Sequence, residues 1–482
     1  MFSAACVGVV IAALATASSA LASITFATAT SWPAGDRPAA VVIVDLNGDG
    51  QNDLAAANVG SGDVSVLLGS GDGSFTGPTS LPVAPGFVAI TAGDFDGDGD
   101  SDLALANAST GDVYVLFGNG HGGFAGGTVL PVGSLPLAIT AADFDGDGDL
   151  DLATANSGSG SVSVLLAAGG GSFAPARSFA AGLEPRGLAS GDFDGDGDLD
   201  LAAALAREDS VAVLLGAGDG SFARAGVFSV GVEPWAVVSG DFDTDHELDL
   251  AVANWGSGTV SVLLGTGDGN FAGRHDLPAR TSTQPGCALW GGVGQPASAA
   301  AADLDRDGDL DLALANSNCN EVSVLLGAGD GAFANASTFR VGMAPFSLAA
   351  GDLDRDGDID LATANVNSSD LSVLLNAAEA DSDGDGLSDA EDPDTIAAVV
   401  AELPNGVFAT GQHRQPILNK LEEIEAMIAA GDLDSARTEL LNLRRKMDGC
   451  GAAADTNDWI VDCAAQLAVR NLIDNLLGRL GA

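Results

Sequence analysis

The stretch DFDGDGDLDL, Asp143 to Leu152, sets five aspartates two residues apart, with Gly146 and Gly148 between them. Carboxylates this close raise one another's pKa, and a compact loop of them is unfavourable until a cation lies among them. The chain as a whole carries 67 acidic against 18 basic residues, a formal net charge of −49. The stretch is therefore either a solvated acidic turn or a metal cradle, and its recurrence decides the matter.

It returns as DLNGDGQNDL from Asp45, DFDGDGDSDL from Asp94, DFDGDGDLDL from Asp192, DFDTDHELDL from Asp241, DLDRDGDLDL from Asp303 and DLDRDGDIDL from Asp352. The first aspartates are spaced by 49 residues, except for 62 between Asp241 and Asp303. A fixed period of this size marks one supersecondary unit stacked many times. In the second unit FVAITAGDF, DLALANA, VYVLFG and FAGGTVLPV read as four short strands, here A to D, separated by turn residues. That is a propeller blade, with the acidic loop joining A to B. Position two of each loop is apolar (Leu46, Phe95, Phe144, Phe193, Phe242, Leu304, Leu353) and is expected to pin the loop to the blade core.

The ends of the array predict how it closes. Phe26 stands 19 residues before Asp45, the offset that also separates Phe75 from Asp94 and Phe124 from Asp143. FATATSW thus fills a strand D position before any strand A exists, while the seventh unit stops after its strand C. The expected fold is an all-β seven-bladed propeller of four-stranded blades, with a strand exchanged at the seam to remove free sheet edges.

The pattern DxDGDGxxDL…AN…VLLGxGDGxF resembles the FG-GAP/VCBS repeat family, which includes the N-terminal propeller of integrin α-chains and fungal propeller lectins. The resemblance covers about residues 24–378. It implies the propeller fold but leaves function open, because propellers host adhesins, lectins and lyases alike.

The loops suit a hard cation. Positions 1, 3, 5 and 9 supply carboxylates, position 7 a backbone carbonyl, and glycine at position 6 allows a sharp turn, much like the first nine positions of an EF-hand loop. The candidate ligands are Asp45, Asn47, Asp49 and Asp53 in loop one and Asp94, Asp96, Asp98, Asp100 and Asp102 in loop two. Loop three offers Asp143, Asp145, Asp147, Asp149 and Asp151, and loop four Asp192, Asp194, Asp196, Asp198 and Asp200. Loop five offers Asp241, Asp243, Asp245, Glu247 and Asp249, with Thr244 and His246 where glycines normally stand, which makes it the weakest expected site. Loop six has Asp303, Asp305, Asp307, Asp309 and Asp311, and loop seven Asp352, Asp354, Asp356, Asp358 and Asp360. No loop has the Cys/His cluster that zinc prefers, and calcium suits flexible all-oxygen loops better than magnesium.

Beyond the propeller, assigned to residues 23–378, the segment 379–395 resembles a thrombospondin type 3 calcium repeat. Its candidate ligands are Asp381, Asp383, Asp385 and Asp389, in a linker that calcium would stiffen. From 396 to 482 apolar residues recur every three or four positions, predicting a small all-α C-terminal domain of an αα-hairpin and a third helix.

Residues 1–22 are small and apolar and end in ALA, which reads as a signal peptide despite the absence of Lys or Arg at its start. Secretion makes disulfides available, and the repeat architecture favours Cys287–Cys319 with Cys450–Cys463. The charge excludes a nucleic-acid partner, since there is no basic patch with interleaved aromatics. No run after the leader is long and apolar enough to span a membrane. The four histidines, His121, His246, His275 and His413, lie in unrelated contexts with no nucleophile beside them, so the expectation is a non-enzyme. The competing class is a polysaccharide lyase or hydrolase built on the propeller. The leading reading is a secreted calcium-binding module for an extracellular glycan or protein ligand. Where most repeats have small residues before strand A and between B and C, blades four to six carry Arg186, Arg207, Trp235, Trp255 and, in the thirteen-residue insertion, Trp290. These form the candidate ligand face, with tryptophans expected to be exposed; the alternative is that they cover the core.

Overall fold

The computed structural model describes residues 24–280 and 294–376, together with 417, 419–421, 424 and 433–444 near the C-terminus. The leader, the acidic linker with its four aspartates, Trp290, Cys287, Cys450, Cys463 and His413 lie outside these residues. The chain divides into two compact units, one of them Phe26–Asn376.

The B strands decide this unit. Each is a near-continuous run of Ala and Leu, such as Asp102–Asn107 (DLALAN) and Asp249–Asn254 (DLAVAN), and is buried along its whole length. A strand covered on both faces reads as unbroken apolar sequence rather than as alternation. The covers are the neighbouring blades, so no single blade buries its own core. The described residues form seven antiparallel four-stranded sheets, six of them in the chain order A-B-C-D. Adjacent blades meet through their A strands, which line the axis and are built of small residues, as in Pro296–Ala302 (PASAAAA). Strand D is outermost and largely exposed, as in Phe271–Pro278.

The seventh sheet is completed by the N-terminal strand Thr30–Pro33, antiparallel to Asp370–Leu374, with Trp32 opposite Leu371. Phe26, four residues before that strand, makes an isolated antiparallel bridge to Asn376. Trp32 then meets Phe75 of blade one edge-to-face, with centroids 5.4 Å apart. The expected strand exchange is therefore present.

Beneath the B-to-C turns, the asparagine that ends strand B is held by a buried serine of strand C. Asn58, Asn156, Asn254 and Asn365 each donate from Nδ2 to the serine Oγ seven residues on, at 2.9 Å. Two blades depart: in blade two Tyr114 stands in the serine's place and Asn107 Nδ2 donates to the Pro85 carbonyl at 3.2 Å, and in blade four Leu205 replaces the asparagine.

In the C-terminal unit, α1 (Leu433–Arg444) falls in the second of the expected helical segments. Residues 417, 420, 421 and 424 are helical within the first. Ile417, Leu421 and Ile424 repeat at four and three residues and are buried, as are Leu440 and Leu443 of α1. Lys420 Nζ pairs with Glu439 at 3.0 Å. The third expected helix lies outside the described residues.

Deleting residues 24–33 should leave strand C of blade seven as an open edge, and light scattering should detect concentration-dependent association. Leu371, fully buried at that edge, should cost about 2–5 kcal/mol when changed to Ala, measured by urea unfolding in calcium.

Candidate metal centres and a candidate ligand face

Each acidic loop is anchored by the aspartate at position nine. Its Oδ2 accepts the backbone N–H of position two, from Leu46 to Asp53 at 2.9 Å and from Phe242 to Asp249 at 2.7 Å. Its Oδ1 accepts an N–H at the end of strand C, such as Gly69 to Asp53 at 2.7 Å. The same pair of bonds recurs in all seven loops, with Asn376 supplying the second donor in the last. Position two is buried as expected, at 1–3 % exposure in every copy. From its place in the motif, position nine is legible only as a metal ligand; its stapling role has no signature beyond the fixed eight-residue offset from position one.

Position one shapes the rest of the turn. Asp143 Oδ1 accepts from Gly146 at 2.7 Å and Oδ2 from Gly148 at 3.0 Å. Positions four and six therefore both adopt left-handed backbone, with φ of 73° at Gly146 and 94° at Gly148. The sequence reading identified that need only at position six. In loop five Thr244 (φ 59°) and His246 (φ 74°) carry side chains in this region, at a cost of about 1 kcal/mol or more each relative to glycine. His246 is 95 % exposed and its Nδ1 lies 3.6 Å from Asp241. It decorates the loop rather than ending it.

These bonds leave a convergent set of carboxylate oxygens. In loops two, three, four and six, one oxygen each from positions one, three and nine lie within 4.8 Å of one another, as in Asp94, Asp96 and Asp102. In loop five the set is Asp241, Asp243 and Asp245. Asp145 Oδ1 is buried with no hydrogen-bond partner, an acceptor that a cation would satisfy. The aspartate clusters can hold a metal ion, and their all-oxygen donors fit a hard cation.

Burial sets the acidity of position nine. Desolvation raises Asp53, Asp102, Asp151, Asp200 and Asp249 to about 6, and Asp311 and Asp360 to about 7, against the lowering effect of the two N–H donors. At position three, burial and then Asp307 raise Asp305 to about 6. The folded chain without metal thus holds more protons than the unfolded chain between the ordinary aspartate value and these raised ones. Its stability should fall as pH rises through that window. In EDTA, melting temperature should increase as pH is lowered from 7.5 to 5; millimolar calcium should flatten or reverse that trend.

The opposite face is formed by the D-to-A and B-to-C connections. Arg186 and Trp235 are the second residues of strands A in blades four (Pro185–Gly191) and five (Pro234–Gly240), at the bulge that interrupts A-to-B pairing. The sequence reading placed them just before strand A. Trp255 follows strand B of blade five, its N–H bonded to the Glu233 carbonyl at 2.9 Å. Trp235 and Trp255 stack at 3.9 Å with 12° between planes, and the Arg186 guanidinium lies 4.5 Å from the Trp235 centroid. With one face of Trp235 covered by Trp255, Arg186 occupies the other. Phe346, in the equivalent position of blade seven, meets Trp235 edge-on at 5.4 Å, across blade six where that position is Ala297. The sequence reading missed Phe346, although it shares the slot that singled out Trp235.

This corrects the expectation of exposed tryptophans. Trp235 and Trp255 are both half-buried, and Trp235 has no free face for a ligand. Trp255 keeps one. Glu184 links the arginines, at 2.8 Å to Arg207 Nε and 3.7 Å to Arg186 Nη2. Trp235 Nε1 and Arg186 Nε are buried without hydrogen-bond partners. In the D-to-A connections of this face, Leu135, Leu183, Val232 and Met343 are 45–60 % exposed.

Among the described residues no helix is long and apolar enough to cross a membrane. His121, His246 and His275 fall in a C-to-D turn, an acidic loop and a strand D respectively. Cys319 is buried and disulfide-bonded.

Comparison with known proteins agrees with the geometry. The chain is similar to BBS1N, solved in complex with ARL6DN and soaked with mercury, at 16 % identity and TM-score 0.53 over 74 % of this chain and 98 % of that one. The lead-soaked form of that complex gives 16 % and 0.51 over 73 % and 99 %. An Agrocybe aegerita lectin described as recognising non-reducing terminal N-acetylglucosamine gives 21 % and 0.45 over 68 % and 86 %. At these identities the likeness concerns the fold alone. No curated protein sequence matches. The FG-GAP-like repeat matches residues 45–105, 94–154, 143–203, 192–252, 241–314 and 303–363, and the chain belongs to that family.

Proposed function

We propose that the chain is a secreted, calcium-binding propeller that acts as a non-catalytic ligand-binding or adhesion module for an extracellular glycan or protein. The observation that carries the binding role is the stack of Arg186, Trp235 and Trp255, where the repeat departs from its small residues. A stacked aromatic pair beneath a guanidinium, rimmed by exposed apolar side chains, is the composition of an interface anchor. The two buried donors without partners have a cost that stability alone does not explain. The acidic loops lie on the other face and serve as structural calcium sites. The acidic motif at 379–395 adds a further calcium site, and Cys287 is the partner of Cys319.

Calcium binding only to the folded chain stabilises by RT ln(1 + [L]/Kd) per site, about 1 kcal/mol each at millimolar calcium for extracellular affinities. Melting temperature should therefore fall steeply in EDTA, and an unchanged value would refute the calcium role. Occupancy should be lowest in the loop from Asp241 to Asp249.

Binding is tested on a glycan array and an extracellular-matrix protein panel, with product release from polysaccharides measured alongside. Trp255→Ala and Arg207→Ala should abolish retention with little change in melting temperature. Trp235→Ala should instead lower stability by about 2 kcal/mol or more, because its ring fills the space between Arg186 and Trp255. Saturable retention unaffected by Trp255→Ala would place the ligand elsewhere, and product release would make the chain an enzyme.

A further inference from the structure

Blade seven takes its outer strand from the N-terminus, so it has no turn between strands C and D. Elsewhere that turn roofs the metal loop of the preceding blade. Gly73, Gly122, Gly220, Gly269 and Gly331 donate their N–H to the position-two carbonyls of Leu353, Leu46, Phe144, Phe193 and Phe242, at 2.9–3.2 Å. Thr244 Oγ1 likewise donates to the Gly329 carbonyl in the turn of blade six, at 3.1 Å. Loop six faces blade seven, where this roof is missing.

Side chains fill the gap. Asn376 Nδ2 donates to the Leu304 carbonyl at 2.6 Å, the contact a turn glycine makes in other blades. Arg306, at position four of loop six, reaches across to loop seven. Its Nη2 donates to the Asp356 carbonyl at 2.9 Å, and its Nε pairs with the carboxylate of Asp358, which is buried beneath it. Arg355, the equivalent residue of loop seven, continues the chain of contacts, with Nη2 donating to the Gly50 carbonyl of loop one at 3.2 Å. Both arginines hold left-handed backbone, φ 60° and 68°, at a position where loops one to four have glycine. A side chain there costs free energy that glycine avoids, so the long cationic group must return more than it costs. Arg306 does so across the junction whose turn is missing, and Arg355 carries the contact on to blade one.

We propose that Arg306 and Arg355 are resident cations of the seam: they bridge loops six, seven and one and hold them together without metal, while the remaining loops depend on a bound cation. A guanidinium suits this role because its planar fork satisfies a carboxylate and a carbonyl at once and keeps its charge at every accessible pH. The inference rests on the reading that the loops bind calcium.

The test is the pair Arg306→Gly with Arg355→Gly, a substitution the backbone accepts. Melting temperature is measured in EDTA and in millimolar calcium, with deuterium exchange followed at Thr30–Pro33. In EDTA the variant should melt several degrees below the unaltered chain, and the N-terminal strand should lose protection by at least about tenfold. In calcium the melting temperature should be unchanged or slightly higher, because metal supplies the charge and glycine relieves the strain. Unaltered protein indifferent to calcium would remove the calcium reading and this proposal with it. With calcium dependence intact, an equal fall in both buffers or no fall in EDTA would overturn the proposal alone.

Discussion

The structure depends on a carboxylate placed where carboxylates are costly. Position nine of every acidic loop is fully buried, and burial alone would exclude its charge. It is retained because its two oxygens accept backbone N–H groups from the loop and from the end of strand C, joining elements that no ladder bond connects. This staple fixes the path of the loop, so that positions one and three face it across a few ångströms. The electrostatic cost that remains is one that a cation would offset. The capacity to hold a metal ion and the geometry of the blade thus both trace to one buried aspartate.

The two faces answer to different constraints. On the acidic face the seven loops repeat almost without variation, because each must close the same hydrogen-bonded turn. The other face carries no such requirement, and its residues are free to diverge. Arg186, Trp235 and Phe346 share one slot in blades four, five and seven, and the slot lies beside the axis, where A strands converge. Substitutions 49 residues apart, or further, therefore become neighbours. Large apolar side chains also stay exposed there, at Leu183, Val232 and Met343.

The seam shows how a repeat accommodates its own ends. Exchange of the N-terminal strand restores the sheet but not the turn that would have followed strand C. Asn376 makes with its side chain the contact that a turn glycine makes elsewhere, and Arg306 ties loop six directly to loop seven.

Periodicity alone determined the seven blades, the loop between A and B, the apolar pin at position two and the exchanged strand. Each of these follows from local spacing, which a linear chain displays directly. The positive φ at position four went unread because glycine there looked like spacing, and the staple at position nine because its donors lie 7 and 16 residues away. Whether Trp235 was exposed was likewise undetermined: only closure of the ring brings Arg186 over one face, Trp255 onto the other and Phe346 against its edge. Burial of a side chain near the axis depends on residues from three blades at once, and that is a property of the assembled ring, which no single repeat contains.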